Sequence, residues 1–441
     1  MSPTPYLQSI TSPNAFNNQY RTEKGRSFSE LKNTPASEWG RKDLFACRVL
    51  PKQLNQQQSL LVPFAEKYEH GTEMTAFLNG PTDPAHLGGS ELALVKEYGH
   101  SLGQLWAALA TFLGPPERRQ LVSPPDDGQG GDGNGDNDDD GNNDEDGNND
   151  EDGNNNDGSG NNNDGGGDYA RRPKRARRGT RQEGFVDSSK MEIESSSPIE
   201  ASSQSTLGYV HMESHALAEG PEDDTLRLIT CALRHVLYFA PPNNEPNTAG
   251  AVIEVRDAKI RLAAITGSHS LVAVDDGGLC LRKPLVLASH GDPQKPQSLV
   301  YMTANDHVLM LEAKRRLQCF QEGRPIISDS CLAQMTCQAL TWKFANVGSY
   351  DRYVEFGEMT CPLRVIVGLL LALYSIFILH AAQNYFCFLR FDISVDYLGD
   401  IQSEEPELLN VYHTPWYSLG QKGGRTYFAD TLCSIMKWAM S

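Results

Sequence analysis

What this chain lacks narrows its chemistry first. Its nine cysteines, at positions 47, 231, 280, 319, 331, 337, 361, 387 and 433, are odd in number, scattered, and never form a C-x-x-C pair. That argues against a disulfide framework and against a thiolate zinc site, and suits a reducing intracellular compartment. The histidines at 269, 290, 307, 380 and 413 show no H-E-x-x-H spacing, so a histidine zinc site is not expected. No serine sits in a G-x-S-x-G elbow, which leaves a hydrolase triad without support. The opening MSPTPYLQSITSPNAF has no basic stretch followed by an apolar one, so export is not expected.

A second absence is local. From Asp126 to Asp168 almost every residue is Gly, Asn, Asp or Glu, and no apolar side chain appears before Tyr169. Such a segment has nothing to bury against the entropy of ordering it, so residues 126–205 are expected to be a disordered acidic linker. Sixteen acidic and no basic residues lie between Asp126 and Asp168, and they carry nearly all of the formal net charge of -18. The low pI therefore describes a linker and no binding face. The tandem hexad GNNDED, at 141 and 147, is too polar to stack as a solenoid. DNDDDGNNDEDG, 136–147, begins like a calcium loop, but Gly147 stands where the bidentate Glu belongs and Asn143 where an apolar residue belongs. Specific calcium binding is not expected there, only weak cation condensation.

What is present begins with YARRPKRARRGTR, which places Arg171, Arg172, Lys174, Arg175, Arg177, Arg178 and Arg181 in that tether. The cluster reads as a nuclear-import signal, with an import receptor as partner and the nucleus as location, or as a nucleic-acid contact. A counter-charge for the acidic tract is the alternative.

Four regions are expected. Residues 1–38, polar and poor in apolar groups, read as a loose arm. Residues 39–125 read as a helical segment, with Ser90 capping SELALVKEYGHSLGQLWAALATFLG and Gly114-Pro115-Pro116 stopping it. The helical material at 40–114, 75 residues, makes a thin core alone, so these helices are candidates to dock on the C-terminal part. The linker follows, and residues 206–441 form the folded C-terminal domain. There DDTLRLITCALRHVLYFA, ending at Pro241-Pro242, predicts a helix. GAVIEVRDAKIRLAAI, SHSLVAVDD, LCLRKPLVLAS and SLVYMTANDHVLMLEAK read as strands, SDSCLAQMTCQALTWKFAN as a helix and NYFCFLRFDISV as a strand. The order predicts an α/β (α+β) fold, a central mixed sheet flanked by helices. The apolar run 365–382, VIVGLLLALYSIFILHAA, reads either as a buried core helix or as a single membrane span.

Glu312 and Lys314 lie two apart near a strand end and so share a face. A carboxylate there suits Mg²⁺ and the ammonium can orient a water, but a second carboxylate is needed. Asp306 is excluded, because six extended residues separate it from Glu312 by about 20 Å; it is assigned to a turn, Ala304-Asn305-Asp306. Asp275, Asp276, Asp257 and Glu254 remain as candidates from neighbouring strands. Gln334 and Gln338, one turn apart on one face of a helix, read as solvated surface.

Glu312-Ala313-Lys314 at the end of an apolar strand, after a helix and hairpins and before a helix carrying Gln334 and Gln338, resembles the PD-(D/E)XK nuclease superfamily over residues 222–392. The resemblance implies a mixed sheet flanked by helices, Mg²⁺ held by an Asp and a Glu, and a Lys that assists nucleic-acid cleavage, with a Gln in the next helix in some branches. Glu312 and Lys314 are then the catalytic pair, and Glu312 with Asp275 or Asp276 the metal ligands. Where the superfamily has Pro-Asp entering the second strand, this chain has Ser268-His269-Ser270, so Asp275 or Asp276 must serve from a different register, or the domain is an inactive derivative. YFCFLRFDIS and HTPWYSLGQKGGRTYFADTLCSIMKWA are further similar to lineage-specific fungal proteins. No small-molecule cofactor is expected. The alternatives are a non-catalytic scaffold and a membrane protein anchored through 365–382.

Overall fold

The computed structural model describes residues 4–55, 60–61, 64, 70–81, 84–114, 222–242, 250–287, 298–321, 323–350, 375–403 and 405–441. The acidic tract, the basic cluster 171–181 and residues 365–374 lie outside them. Along the chain come α1 (Tyr6–Ser9), α2 (Pro13–Thr22), α3 (Arg41–Ala46), β1 (Val49–Gln53), α4 (Thr72–Asn79), α5 (Glu91–Tyr98) and α6 (His100–Leu113). The second part adds α7 (Glu222–Phe239), β2 (Val252–Arg256), β3 (Arg261–Thr266), β4 (His269–Val274), β5 (Gly278–Leu287), β6 (Ser298–Lys314), β7 (Cys319–Gln321), β8 (Arg324–Ile326) and α8 (Asp329–Tyr350). It ends with β9 (Ser375–Ala382), β10 (Tyr385–Asp392), α9 (Val395–Asp400), β11 (Leu409–His413), β12 (Tyr417–Ser418) and α10 (Lys422–Met440).

The expected α/β architecture is present: an eight-stranded mixed sheet in the order β1-β11-β10-β9-β6-β5-β2, with β12 on β10. β6 and β9 run parallel, as do β1 and β11, and the other pairs are antiparallel. Helices cover both faces. Leu309, Leu311, Phe377 and Leu379 face a core shared with α4, α6, α7 and α10. Met310, Ile376, Ile378 and Leu389 face one shared with α3, α8 and the β3–β4 hairpin.

That two-sided burial corrects the reading of 365–382 as one helix. Ser375–Ala382 is β9, central in the sheet and buried at all eight positions. A strand covered on both faces has no polar side to alternate with, so its hydropathy matches that of a buried helix. Among the described residues no helix is long and apolar enough to cross a membrane.

The loose arm is corrected as well. Tyr6, Ile10, Phe16 and Phe28 are fully or almost fully buried, and the Tyr6 hydroxyl donates to the Val49 carbonyl at 2.7 Å. Arg41 closes the arm down, pairing with Glu23 at 2.7 Å and with Asp329 at the start of α8 at 3.0 Å. Few apolar residues suffice because they are large aromatics set against a surface that already exists. The helical segment is no separate body either: β1 is an edge strand of the main sheet, and residues before 124 and after 188 form one compact unit.

Ser90 caps α5 as expected, its side chain accepting from Ala93 N. Gly99, at φ +81°, then splits the expected single helix into α5 and α6. The turn assigned to Ala304-Asn305-Asp306 is also absent, because β6 runs unbroken for 17 residues. In its place the register against β5 shifts on either side of Leu281, so that Asp306 and His307 sit on a bulge.

Phe16→Ala is expected to cost about 3–5 kcal/mol in urea unfolding, the usual loss for a buried phenylalanine. No loss would return residues 4–38 to the status of a loose arm.

Candidate functional site

The last turns of β6 present Met310, Glu312 and Lys314 toward α8. The Glu312 carboxylate is closed by three donors. Oε1 accepts from Lys314 Nζ at 2.6 Å and from Gln334 Nε2 at 2.7 Å, and Oε2 accepts from Gln338 Nε2 at 2.5 Å. Glu312 is 0% exposed. Burial pushes its carboxyl well above the usual carboxylate range; Lys314 and Gln338 pull it back only in part, and Asp276 adds repulsion. Burial opposes the charge on Lys314, yet the Glu312 carboxylate outweighs it and holds the ammonium protonated. The two form a buried ion pair, and α8 turns both glutamines inward.

Around this pair the backbone is tied down from two sides. His380 on β9 faces the Glu312 carbonyl through Nδ1 at 3.1 Å. Burial lowers its pKa to about 4, so the neutral ring donates there. Thr225, in the first turn of α7, donates to the Lys314 carbonyl at 3.1 Å and accepts from Gln383 N at 2.9 Å.

Of the acidic candidates, Asp276 approaches the pair. Its chain segment continues the ladder beside β6 beyond the start of β5: Asp276 N donates to the Leu311 carbonyl and Leu311 N to the Gly277 carbonyl, both at 3.0 Å. Asp276 Oδ2 then accepts from Ala313 N, the residue between Glu312 and Lys314, at 3.0 Å. Gly277 and Gly278, at φ +125° and +149°, make this approach possible. A Cβ on Gly278 would meet the Leu309 carbonyl, so only glycine fits. Asp276 Oδ1 pairs with Lys259 Nζ at 2.8 Å.

Asp275, the other candidate, is used up elsewhere. Its buried carboxylate takes Arg256 through both Nη atoms, at 3.0 and 2.6 Å, and the Ile260 and Gly277 amides at 3.0 and 3.3 Å. His307 Nε2 lies 3.2 Å away, off line for a full hydrogen bond. Burial alone would raise this carboxyl, but His307, Arg256 and the Ile260 amide outweigh burial and lower it. Asp306 meets His307 Nδ1 at 2.6 Å and stays apart from Glu312. Glu254 pairs with Arg282 and Asp257 with Arg234. Of the sequence candidates, the structure therefore gathers Glu312, Lys314, Asp276, Gln334 and Gln338, and sets Asp275, Asp306, Asp257 and Glu254 aside.

One residue was missed. Glu222 opens α7, where burial raises its carboxyl, Lys314 lowers it and Asp276 raises it. Its only sequence signal was an acidic start to a helix, which a favourable dipole already explains. Beside the site a cleft of about 330 Å³ runs between α7 and β2, lined among others by Asp223, Arg227, Arg234, Arg256, Asp257 and Asp276. Among the described residues no three His, Cys, Asp or Glu side chains are gathered as a metal cage. No protein-family model and no curated protein matches the chain.

His307 gives the site a measurable pH signature. Burial disfavours its charge, but Asp275 and Asp306 outweigh burial and raise its pKa. Its stabilising contribution is therefore complete below the ordinary histidine value of about 6.5, and is lost as pH rises through the higher folded-state value. In urea unfolding the gap between wild type and His307→Gln is expected to narrow from pH 6 to pH 9. A gap independent of pH would mean that His307 is not charged in the fold.

Proposed function

We propose that the chain is a nucleic-acid-processing protein of the PD-(D/E)XK type, with Glu312 and Asp276 as Mg²⁺ carboxylates and Lys314 as the group that positions the attacking water. One observation carries the reading: the bond from Ala313 N to Asp276 Oδ2 brings an aspartate to the middle of the Glu312-Ala313-Lys314 motif. That aspartate lines a cleft whose walls also carry Arg227, Arg234 and Arg256, each paired with a carboxylate, Glu91, Asp257 and Asp275 in turn; a phosphodiester would have to compete for them.

The donor set fits Mg²⁺. The ion prefers oxygen, keeps several waters, and is commonly held by one or two carboxylates together with substrate phosphates, so a full protein cage is not required. Gln338 Oε1 is buried without a donor among the described residues, beside the Glu312 carboxylate, and suits a hydrated cation. Bound there, the ion would supply Lewis-acid polarisation of a phosphoryl oxygen. The chain's residues do the rest. Gln334 and Gln338 fix the Glu312 carboxylate, and Lys314 Nζ, once it leaves Glu312 Oε1, can donate to a water or to the phosphate. Arg227 and Arg234, two turns apart on α7, would meet a phosphate only on release from Glu91 and Asp257. The cluster 171–181 serves on this reading as the import signal that brings the protein to nuclear nucleic acid.

A second reading, a binding protein built on the same fold, has one observation in its favour: Glu312 is wholly buried and both of its oxygens are occupied. Cleavage of plasmid and single-stranded DNA in Mg²⁺ by wild type, Glu312→Gln and Asp276→Asn separates the two. Each substitution is expected to slow cleavage about 100-fold or more, the scale for losing a preorganised charged group, with circular dichroism unchanged. No cleavage by wild type, or equal cleavage by all three, sinks the nuclease reading in favour of the second.

A further inference from the structure

The two lysines at the site hold their carboxylates in different ways. Lys314 projects from the central strand β6, its side chain only 16% exposed, and pairs with the Glu312 carboxylate that the α8 glutamines also hold. Lys259 belongs to the connection between β2 and β3, and its side chain is 50% exposed. The backbone next to it is fixed independently, because Ile260 N donates to Asp275 Oδ1 and Asp275 N donates to the Ile260 carbonyl at 3.1 Å. The Lys259 side chain can therefore swing into solvent while the backbone that carries it stays in place.

Asp276 is divided in the same manner. Oδ2 is committed to Ala313 N, a backbone contact that fixes the carboxylate against the Glu-x-Lys motif. Oδ1 meets Lys259 Nζ at 2.8 Å. Asp276 also lines the cleft, so departure of the ammonium would open a charged, fixed oxygen toward a solvent-reachable space. An ammonium with three donors and a hydrated Mg²⁺ both satisfy one carboxylate oxygen, and they exclude each other from it by charge as well as by volume.

We propose that Lys259 is a displaceable counter-ion for Asp276, a lysine that occupies the metal's carboxylate oxygen in the metal-free protein and competes with Mg²⁺ for it. This rests on the proposed Mg²⁺ role of Asp276 and Glu312. Its consequence is a site whose affinity for the divalent ion is set by a side chain that need not touch the ion. Filling of the site would release the Lys259 ammonium into solvent.

The test is Mg²⁺ titration calorimetry on the full chain, with no substrate and no turnover. The acidic tract condenses cations unspecifically, so the site's share is the part of the binding removed by Asp276→Asn. Lys259→Ala is expected to tighten that share about fivefold, the scale of losing one half-exposed ion pair together with a repelling charge. Lys259→Arg, which keeps the charge, is expected to stay near wild type, and Lys42→Ala, an exposed lysine on α3, controls for net charge. Unchanged affinity in Lys259→Ala, or an equal gain in Lys42→Ala, overturns the competition while leaving the Mg²⁺ site intact. Absence of any share removed by Asp276→Asn overturns the Mg²⁺ site itself.

Discussion

A carboxylate with no access to water has to be neutralised or paired, and Glu312 is such a group at the centre of this molecule. Removing two opposite charges from water costs several kcal/mol for each ion, and their attraction repays it only with good geometry and further donors. Glu312 has those: Lys314 at 2.6 Å and the amides of Gln334 and Gln338. The need to supply them fixes the relation of α8 to β6, because a rotation of α8 that carried its glutamines away would strand a charge. It also fixes β9, since His380 takes up the Glu312 carbonyl that the parallel ladder leaves open. A hydrophobic replacement of the pair would be as stable on general grounds, so the pair's geometry is a constraint on the neighbouring elements and no added source of stability.

The sheet spreads this constraint across the chain. β6 is joined on one side to β5 and β2, which bring Asp276 and Arg256, and on the other to β9 and β10. β11 and β1 extend the same sheet, so that the first fifty residues finish a structure begun by the last sixty. Tyr6 and Arg41 then bind the N-terminal segment across β1 and α8. The site is thus braced from both ends of the sequence, although its own residues all lie between 222 and 338.

Local pattern made much of this legible and missed what depended on neighbours. The α7 helix, with its acidic start and its proline stop, and the strands β4 and β5 could be read because their periods and punctuation are local, whereas 250–265, read as one run, divides into β2 and β3 in separate sheets and β6 lacks the turn assigned to it. Glu312 and Lys314 could be placed on one face by the two-residue repeat alone. Asp275 and Asp276 are adjacent, chemically identical and equally acidic in sequence, yet one serves Arg256 and His307 while the other reaches Ala313. That choice is made by the Gly277–Gly278 turn, whose geometry no side-chain pattern encodes. Residues 1–38 misled for the opposite reason: sparse aromatics have no period, and their burial depends on a surface built hundreds of residues later. Ser375–Ala382 misled because a strand buried on both faces loses the alternation that would identify it.

The bulge in β6 shows how one irregularity serves both halves of the site. Against β5 the strand keeps one register at Ser298–Thr303 and another at Leu309–Met310, with Asn305 paired between them and Asp306, His307 and Val308 set between Asn305 and Leu309. A bulge of this kind turns side chains that a regular strand would leave on alternate faces. Here it lets the His307 ring span two carboxylates, Asp306 on its own strand and Asp275 on the turn before β5. Arg256 holds the same turn from β2 through both oxygens of Asp275. The residue after Asp275 is then left with little freedom, and that residue is Asp276. A carboxylate presented on a two-glycine turn would ordinarily move with the turn; the cation clamp on its predecessor removes that motion. The aspartate excluded as a ligand is what keeps the other in place.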